Sequence, residues 1–122
     1  MPVRSLNSSV IKWPDEQTVR QAAQEWAEDR VQKRPDIVCI AYFGSYARRD
    51  WGVGSDLDLL VVIEASDFPF HRRALEWDVL ELPVPVDLLV YTAAEWQALK
   101  EENSAFYLKL TSEAIWLHQR TS

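Results

Sequence analysis

The sequence predicts an α/β fold, a small sheet layered with helices. Two observations carry that expectation. Three apolar runs of strand length, Ile37 to Phe43, Leu57 to Ile63 and Val86 to Tyr91, alternate with segments whose apolar residues recur at helical spacing. All three glycines of the chain fall between the start of the first loop and the second run, at Gly44, Gly52 and Gly54. The backbone freedom of the chain is therefore spent in one place, at the end of one strand and the start of the next. A length of 122 residues leaves room for one core, so residues 1–122 are expected to form a single domain.

Taken in order, residues 1–14 are polar, with Ser8, Ser9 and Pro14, and form a lead-in. Asp15 can cap a helix that shows Val19, Ala22, Ala23, Trp26, Ala27 and Val31, the stripe of an amphipathic helix. Arg34-Pro35-Asp36 stops it, and Ile37 to Phe43 follows as a strand. Gly44 breaks that strand, and Ser45 to Trp51 fits a short helix. Leu57 to Ile63 is almost wholly apolar, which predicts a central strand. Phe70, Ala74 and Trp77 favour a helix within Asp67 to Leu82, while the alternation around Trp77 and Val79 would suit a strand. Pro83 and Pro85 end either one, ahead of a third strand at Val86 to Tyr91. Thr92-Ala93-Ala94-Glu95 is a capping box for a helix reaching about Glu101. Phe106 to Leu110 reads as a helical turn or two, and Ala114 to His118 as a short strand or a helix end.

Bulk properties narrow the function. A net charge of −6 argues against general nucleic-acid binding, whose affinity comes mostly from Lys and Arg neutralising phosphates. One bound nucleotide stays compatible, since a metal and one or two arginines can balance its charge. Cys39 is the single cysteine, which excludes an internal disulfide and zinc-finger spacing, and its apolar setting marks a buried structural thiol. No apolar run approaches the ~20 residues of a membrane span, and Met1 to Lys12 has no signal-peptide core, so a cytoplasmic protein without membrane contact is expected. Six tryptophans are many for the length; Trp26 and Trp77 lie on apolar stripes and belong in the core. Trp51 sits among polar residues, either as an anchor for a partner or a nucleotide base, or packed under its loop.

The chemistry-bearing residues cluster from 44 to 87. Asp56 and Asp58 are one residue apart at the head of an apolar strand, so both side chains project from the same face. Two such carboxylates repel unless a proton or cation lies between them, and Mg2+ suits one or two carboxylates plus water and phosphate oxygens. Asp87 interrupts another apolar strand; an acid there is costly to bury unpaired and is explained by facing the same metal centre. A calcium loop is excluded, because the sixth and twelfth positions counted from Asp56 hold Val61 and Asp67 instead of Gly and Glu. Eleven residues before Asp56, Gly44-Ser45 sits at a strand-to-helix turn where a phosphate can approach the backbone and bond the hydroxyl. The turn is not a P-loop, as no Gly-Lys-Ser/Thr follows. Arg48 shares the helical face of Ser45; it reaches either a triphosphate or a facing acid, or pairs at the surface with Asp50 or Asp56. Arg49 points elsewhere on the helix.

Together Gly44-Ser45-x-Ala47-Arg48, Ser55-Asp56-x-Asp58-Leu59 and Val86-Asp87-Leu88 resemble the DNA polymerase β-like nucleotidyltransferase superfamily. The small size resembles its minimal nucleotidyltransferases, the antitoxin half of HEPN–MNT toxin–antitoxin pairs. The resemblance implies an α/β (α+β) core, a short mixed β-sheet flanked by helices. It implies that Gly44 and Ser45, with Arg48 beside them, hold the triphosphate of ATP, and that Asp56 and Asp58 carry two Mg2+ ions, one shared by Asp87. Asp87 would also orient the attacking hydroxyl or take its proton. Attack on the α-phosphorus would expel pyrophosphate. The acceptor it implies is a hydroxyl, often tyrosine, of a HEPN toxin that forms a hetero-oligomer with this chain. His71 and His118 lack the arginine spacing of the toxin's own ribonuclease motif, so the chain is not the ribonuclease. The family usually has glycine where this chain has Arg49; that glycine ends the short helix, a task that would pass here to Gly52 or Gly54. Two other functions are compatible with the residues, a small-molecule nucleotidyltransferase and a non-catalytic antitoxin that binds its toxin by contact alone.

Overall fold

The computed structural model describes residues 13–120, so most of the expected polar lead-in lies outside the described residues. Helix α1 (Glu16–Lys33) opens at Asp15, whose carboxylate accepts from the Thr18 N–H at 2.8 Å. Its stripe buries Val19, Ala23, Trp26 and Ala27. Strand β1 (Ile37–Phe43), the four-residue helix α2 (Ser45–Arg48) and strand β2 (Leu57–Ile63) follow. Next come helix α3 (Phe70–Arg73), a 3-10 turn (Ala74–Glu76) and strand β3 (Val86–Thr92). Helices α4 (Ala93–Glu101) and α5 (Ala105–Glu113) and strand β4 (Ile115–Gln119) complete the described chain.

The strands form one mixed sheet in the order β3-β2-β1-β4. β1 runs antiparallel to both β2 and β4, and β2 runs parallel to β3. The apolar β2 is interior, as its composition predicts. Its odd-numbered side chains, Leu57, Leu59, Val61 and Ile63, join Trp26 and the rest of the α1 face in the larger core cluster. Its even-numbered Leu60 and Val62 pack with Cys39 and with Leu110 of α5. Asp58 belongs to this even series, so it opens on the face that α5 overlies. Burial pushes the Cys39 thiol up to about 11, as expected of a structural cysteine.

Two segments depart from the sequence expectation, and a third settles which of two expected forms it takes. Within Asp67 to Leu82 neither a full helix nor a strand forms; α3 and one 3-10 turn give way to Trp77 in an extended conformation (φ −108°, ψ 131°). Trp77 is held by tertiary contacts: its ring lies 6.1 Å from that of Trp26, and the Arg34 guanidinium sits 4.5 Å over it. The neighbouring Asp78 carbonyl accepts from Trp26 Nε1 at 2.8 Å. Helix α2 stops at Arg48, short of Trp51, because Arg49 itself takes the left-handed conformation (φ 68°, ψ 28°). Gly52 and Gly54 are not what ends it. The segment after Ala114 resolves as the edge strand β4, hydrogen-bonded to β1. The capping box at the start of α4 forms as predicted, with Thr92 and Glu95 each satisfying the other's backbone N–H.

Candidate active site

The site begins at the end of β1. Gly44 is buried and has φ 75°, a conformation that L side chains rarely adopt. A Cβ at this position would collide with Asp58 Oδ2, so glycine is what lets the turn close over the second strand. The Gly44 N–H donates to Glu113 Oε2 at 2.7 Å. On α2, Arg48 donates to Asp50 (3.1 Å) and to the same Glu113 oxygen (3.2 Å). Of the pairings open to Arg48 from sequence, Asp50 is realised, and the facing acid is Glu113. Arg49 turns away and donates to Glu16 on α1 at 2.9 Å.

Tyr46 anchors α2 from within: it is fully buried, its hydroxyl accepts from Trp13 Nε1 at 2.9 Å, and Trp51 stacks on its ring at 5.5 Å. Trp51 is therefore packed under its loop, half-buried, and serves the turn's rigidity. The loop from Gly52 to Ser55 is closed by the Gly52 N–H donating to Ser55 Oγ at 2.8 Å. That turn delivers Asp56 to the start of β2.

Asp58 has Phe43 opposite it on β1 and Asp87 in register on β3. Residues in register on parallel strands project on the same face, so the Asp58 and Asp87 carboxyls are neighbours. Burial, then the charge of Asp87, then that of Asp56 push the Asp58 carboxyl up to about 6; Glu113 adds to the effect and Arg48 opposes it. A cavity of about 430 Å3 opens here. Gly44, Ser45, Arg48, Asp56 and Asp58 line one side, and Phe106, Lys109, Leu110 and Glu113 of α5 line the other. Asp87 does not line this cavity. It is exposed on edge strand β3, where the sequence reading had expected an acid costly to bury.

The donor set suits a hard divalent cation in its chemistry: three carboxylates, two of them raising the proton affinity of the third. A positive ion beside Asp58 would relieve that mutual repulsion. Among the described residues, no three His, Cys, Asp or Glu side chains are drawn together tightly enough to hold a metal as they stand. Sequence reasoning missed the whole α5 wall. Glu113 reaches Gly44 across 69 residues of chain, and only the i, i+4 pairing of Lys109 with Glu113 hinted that one helical face presents charge inward.

The profile of the nucleotidyltransferase domain family matches residues 24–110. No curated protein matches the chain. Among solved structures, a Sulfolobus solfataricus protein put forward as a nucleotidyltransferase is similar, with a TM-score of 0.61 and 21% identity over 86% of this chain and 84% of that one. A toxin–antitoxin structure with AMP-PNP is similar at a TM-score of 0.53 and 16% identity, covering 80% of this chain and 74% of that one. At these identities the two structures show the shared fold. The family match spans the Gly44-Ser45 turn, the acids at 56, 58 and 87 and most of α5, and the chain belongs to the nucleotidyltransferase domain family.

Proposed function

We propose that the chain, taken as one domain over 1–122, is a cytoplasmic, Mg2+-dependent nucleotidyltransferase that moves AMP from ATP to a protein hydroxyl. Its partner in this reading is a HEPN-type toxin, the acceptor a tyrosine, and the modification silences the toxin. The observation that carries the reading is that Asp58, which lines a cavity walled by the Gly44-Ser45 turn, is in register with Asp87 on the neighbouring strand. A volume of about 430 Å3 lies within the range of small-ligand sites. The toxin–antitoxin neighbour with AMP-PNP supports both the nucleotide and the partner.

Each residue has a task in this scheme. Gly44 brings the backbone close to a phosphate oxygen, Ser45 donates its hydroxyl, and Arg48 supplies a cation from the same wall of the cavity. Asp56, Asp58 and Asp87 would hold Mg2+, which when bound offsets the charge of acids and triphosphate and polarises the α-phosphate. Asp87, exposed at the sheet edge, is reachable by a hydroxyl arriving on another protein. It takes the hydroxyl proton as the new oxygen–phosphorus bond forms and the bond to pyrophosphate breaks.

The test is transfer of label. The protein is incubated with Mg2+, α-labelled ATP and the product of its neighbouring gene, beside an Asp56→Asn/Asp58→Asn variant. Label on the neighbour that is lost in the variant is the expected result. Neutralisation of the neighbour that persists in the variant and without nucleotide would favour a contact antitoxin. Label on a sugar or other small acceptor in place of the protein would favour a small-molecule enzyme.

A further inference from the structure

The shortest side-chain hydrogen bond at the Gly44-Ser45 turn is made by the protein to itself. The Gly44 N–H donates to Glu113 Oε2 at 2.7 Å, and Arg48 donates to both Glu113 oxygens at 3.2 and 3.4 Å. The Glu113 side chain is only 13% exposed. A carboxylate thus engages the backbone amide and the guanidinium that an incoming triphosphate needs, in a cavity already carrying Asp56 and Asp58.

We propose that Glu113 is an internal stand-in for the nucleotide's phosphate tail and sets the protein's affinity for triphosphates. The inference rests on the nucleotide-binding reading given above. A triphosphate and the Glu113 carboxylate compete for the same two donors, and like charge forbids both from occupying them together. Glu113 is the last residue of α5, and Leu110 one turn earlier is buried against the sheet. The helix therefore stays seated while the Glu113 side chain rotates out. Lys109, one turn before it on the same face, lines the cavity and remains to meet the phosphates. Glu113 is in this sense a positioning residue: it keeps Gly44 and Arg48 ordered in the free protein and yields them to the ligand.

The experiment is calorimetric titration of the wild type, Glu113→Gln and Glu113→Ala with ATP, inorganic tripolyphosphate and AMP, all at saturating Mg2+. Glutamine keeps an acceptor for the Gly44 N–H and removes the charge, so the turn is retained; alanine removes both. Both variants are expected to bind ATP and tripolyphosphate about tenfold tighter, the equivalent of one charge-assisted hydrogen bond no longer competed for. AMP, which lacks the β- and γ-phosphates, is expected to gain about twofold at most. Wild type that binds ATP with variants binding no tighter, or more weakly, overturns the stand-in and leaves the nucleotide site intact. An equal gain for AMP also overturns it, since the effect is then general. Failure of all three proteins to bind ATP or tripolyphosphate removes the nucleotide reading and this inference with it.

Discussion

At the residue scale, Asp58 sets folding against chemistry. Burial and the charges of Asp87 and Asp56 lift its carboxyl from an ordinary 3.8 to about 6. The folded protein therefore binds this proton more tightly than the unfolded chain, and stability falls as pH rises through that interval. Taken at face value the shift is worth about 3 kcal/mol; partial solvent exposure reduces that to about 1 kcal/mol. Asp58→Asn removes the charge and keeps the shape. It is expected to raise the melting temperature at pH 7 by about 3–5 °C in metal-free buffer while removing activity, checked by calorimetry beside the label-transfer assay. A fall in melting temperature would mean that the carboxylate is stabilised by contacts other than these. The two aspartates were legible in the sequence because i, i+2 spacing on a strand has one geometric outcome. Glu113 was not, because nothing local links a helix C-terminus to a glycine 69 residues earlier.

At the element scale, α2 shows how the Gly-Ser turn is held and where local signals ran out. Four helical residues cannot persist on their own. Tyr46 buried in the core, Trp51 stacked on it and Trp13 bonded to its hydroxyl fix the turn instead. The helix ends at Arg49 in a left-handed conformation that costs a non-glycine residue roughly 1–2 kcal/mol. Glycine is the usual bearer of positive φ, which is why the sequence points to Gly52 or Gly54 for that task; here the arginine bears it and donates to the half-buried Glu16 at the start of α1. Arg49→Gly is expected to raise stability by about 0.5 kcal/mol, the relief of strain less the added freedom of the unfolded chain. Denaturant titration measures this; a loss of 1 kcal/mol or more would assign the Arg49–Glu16 pair a larger role than exposed pairs usually have. The strands β1, β2 and β3 were legible from their apolar runs, and the helix α4 from its capping box. The segment around Trp77 was not, since its shape is set by Trp26 and Arg34, which lie far from it in sequence.

At the scale of the whole molecule, opposing titrations set a pH optimum for stability. Glu95 is held below its ordinary 4.5, first by its hydrogen bond to buried Arg73, which also donates to the Val90 and Phe68 carbonyls. Glu16 is held below 4.5 by hydrogen bonds to Arg20 and then Arg49. These lowered groups stabilise the fold above 4.5 and lose that contribution as pH falls through and below it, while Asp58 gains as pH falls through 6. In metal-free buffer the melting temperature is expected to peak near pH 4.5, to fall as pH rises through 6, and to level off above it. A melting temperature that rises from pH 4.5 to 6 would show that Asp58 does not carry the uncompensated charge described. The mixed character of the sheet was implied by the family resemblance; composition fixed only that β2 is interior, and the order β3-β2-β1-β4 was in neither. The placement of Asp87 outside the cavity, on an exposed edge, depended on which strand lay outermost, and local pattern does not encode that.

The central claim is that Asp58 and its neighbouring acids bind a metal–nucleotide against the Gly44-Ser45 turn. Its most direct test is calorimetric titration of ATP into the wild type and Asp58→Asn, each with Mg2+ and with EDTA. The account predicts saturable one-to-one binding by the wild type with Mg2+, lost with EDTA and lost in a variant that melts higher than the wild type. Equal binding by both proteins, indifferent to the metal, would contradict it.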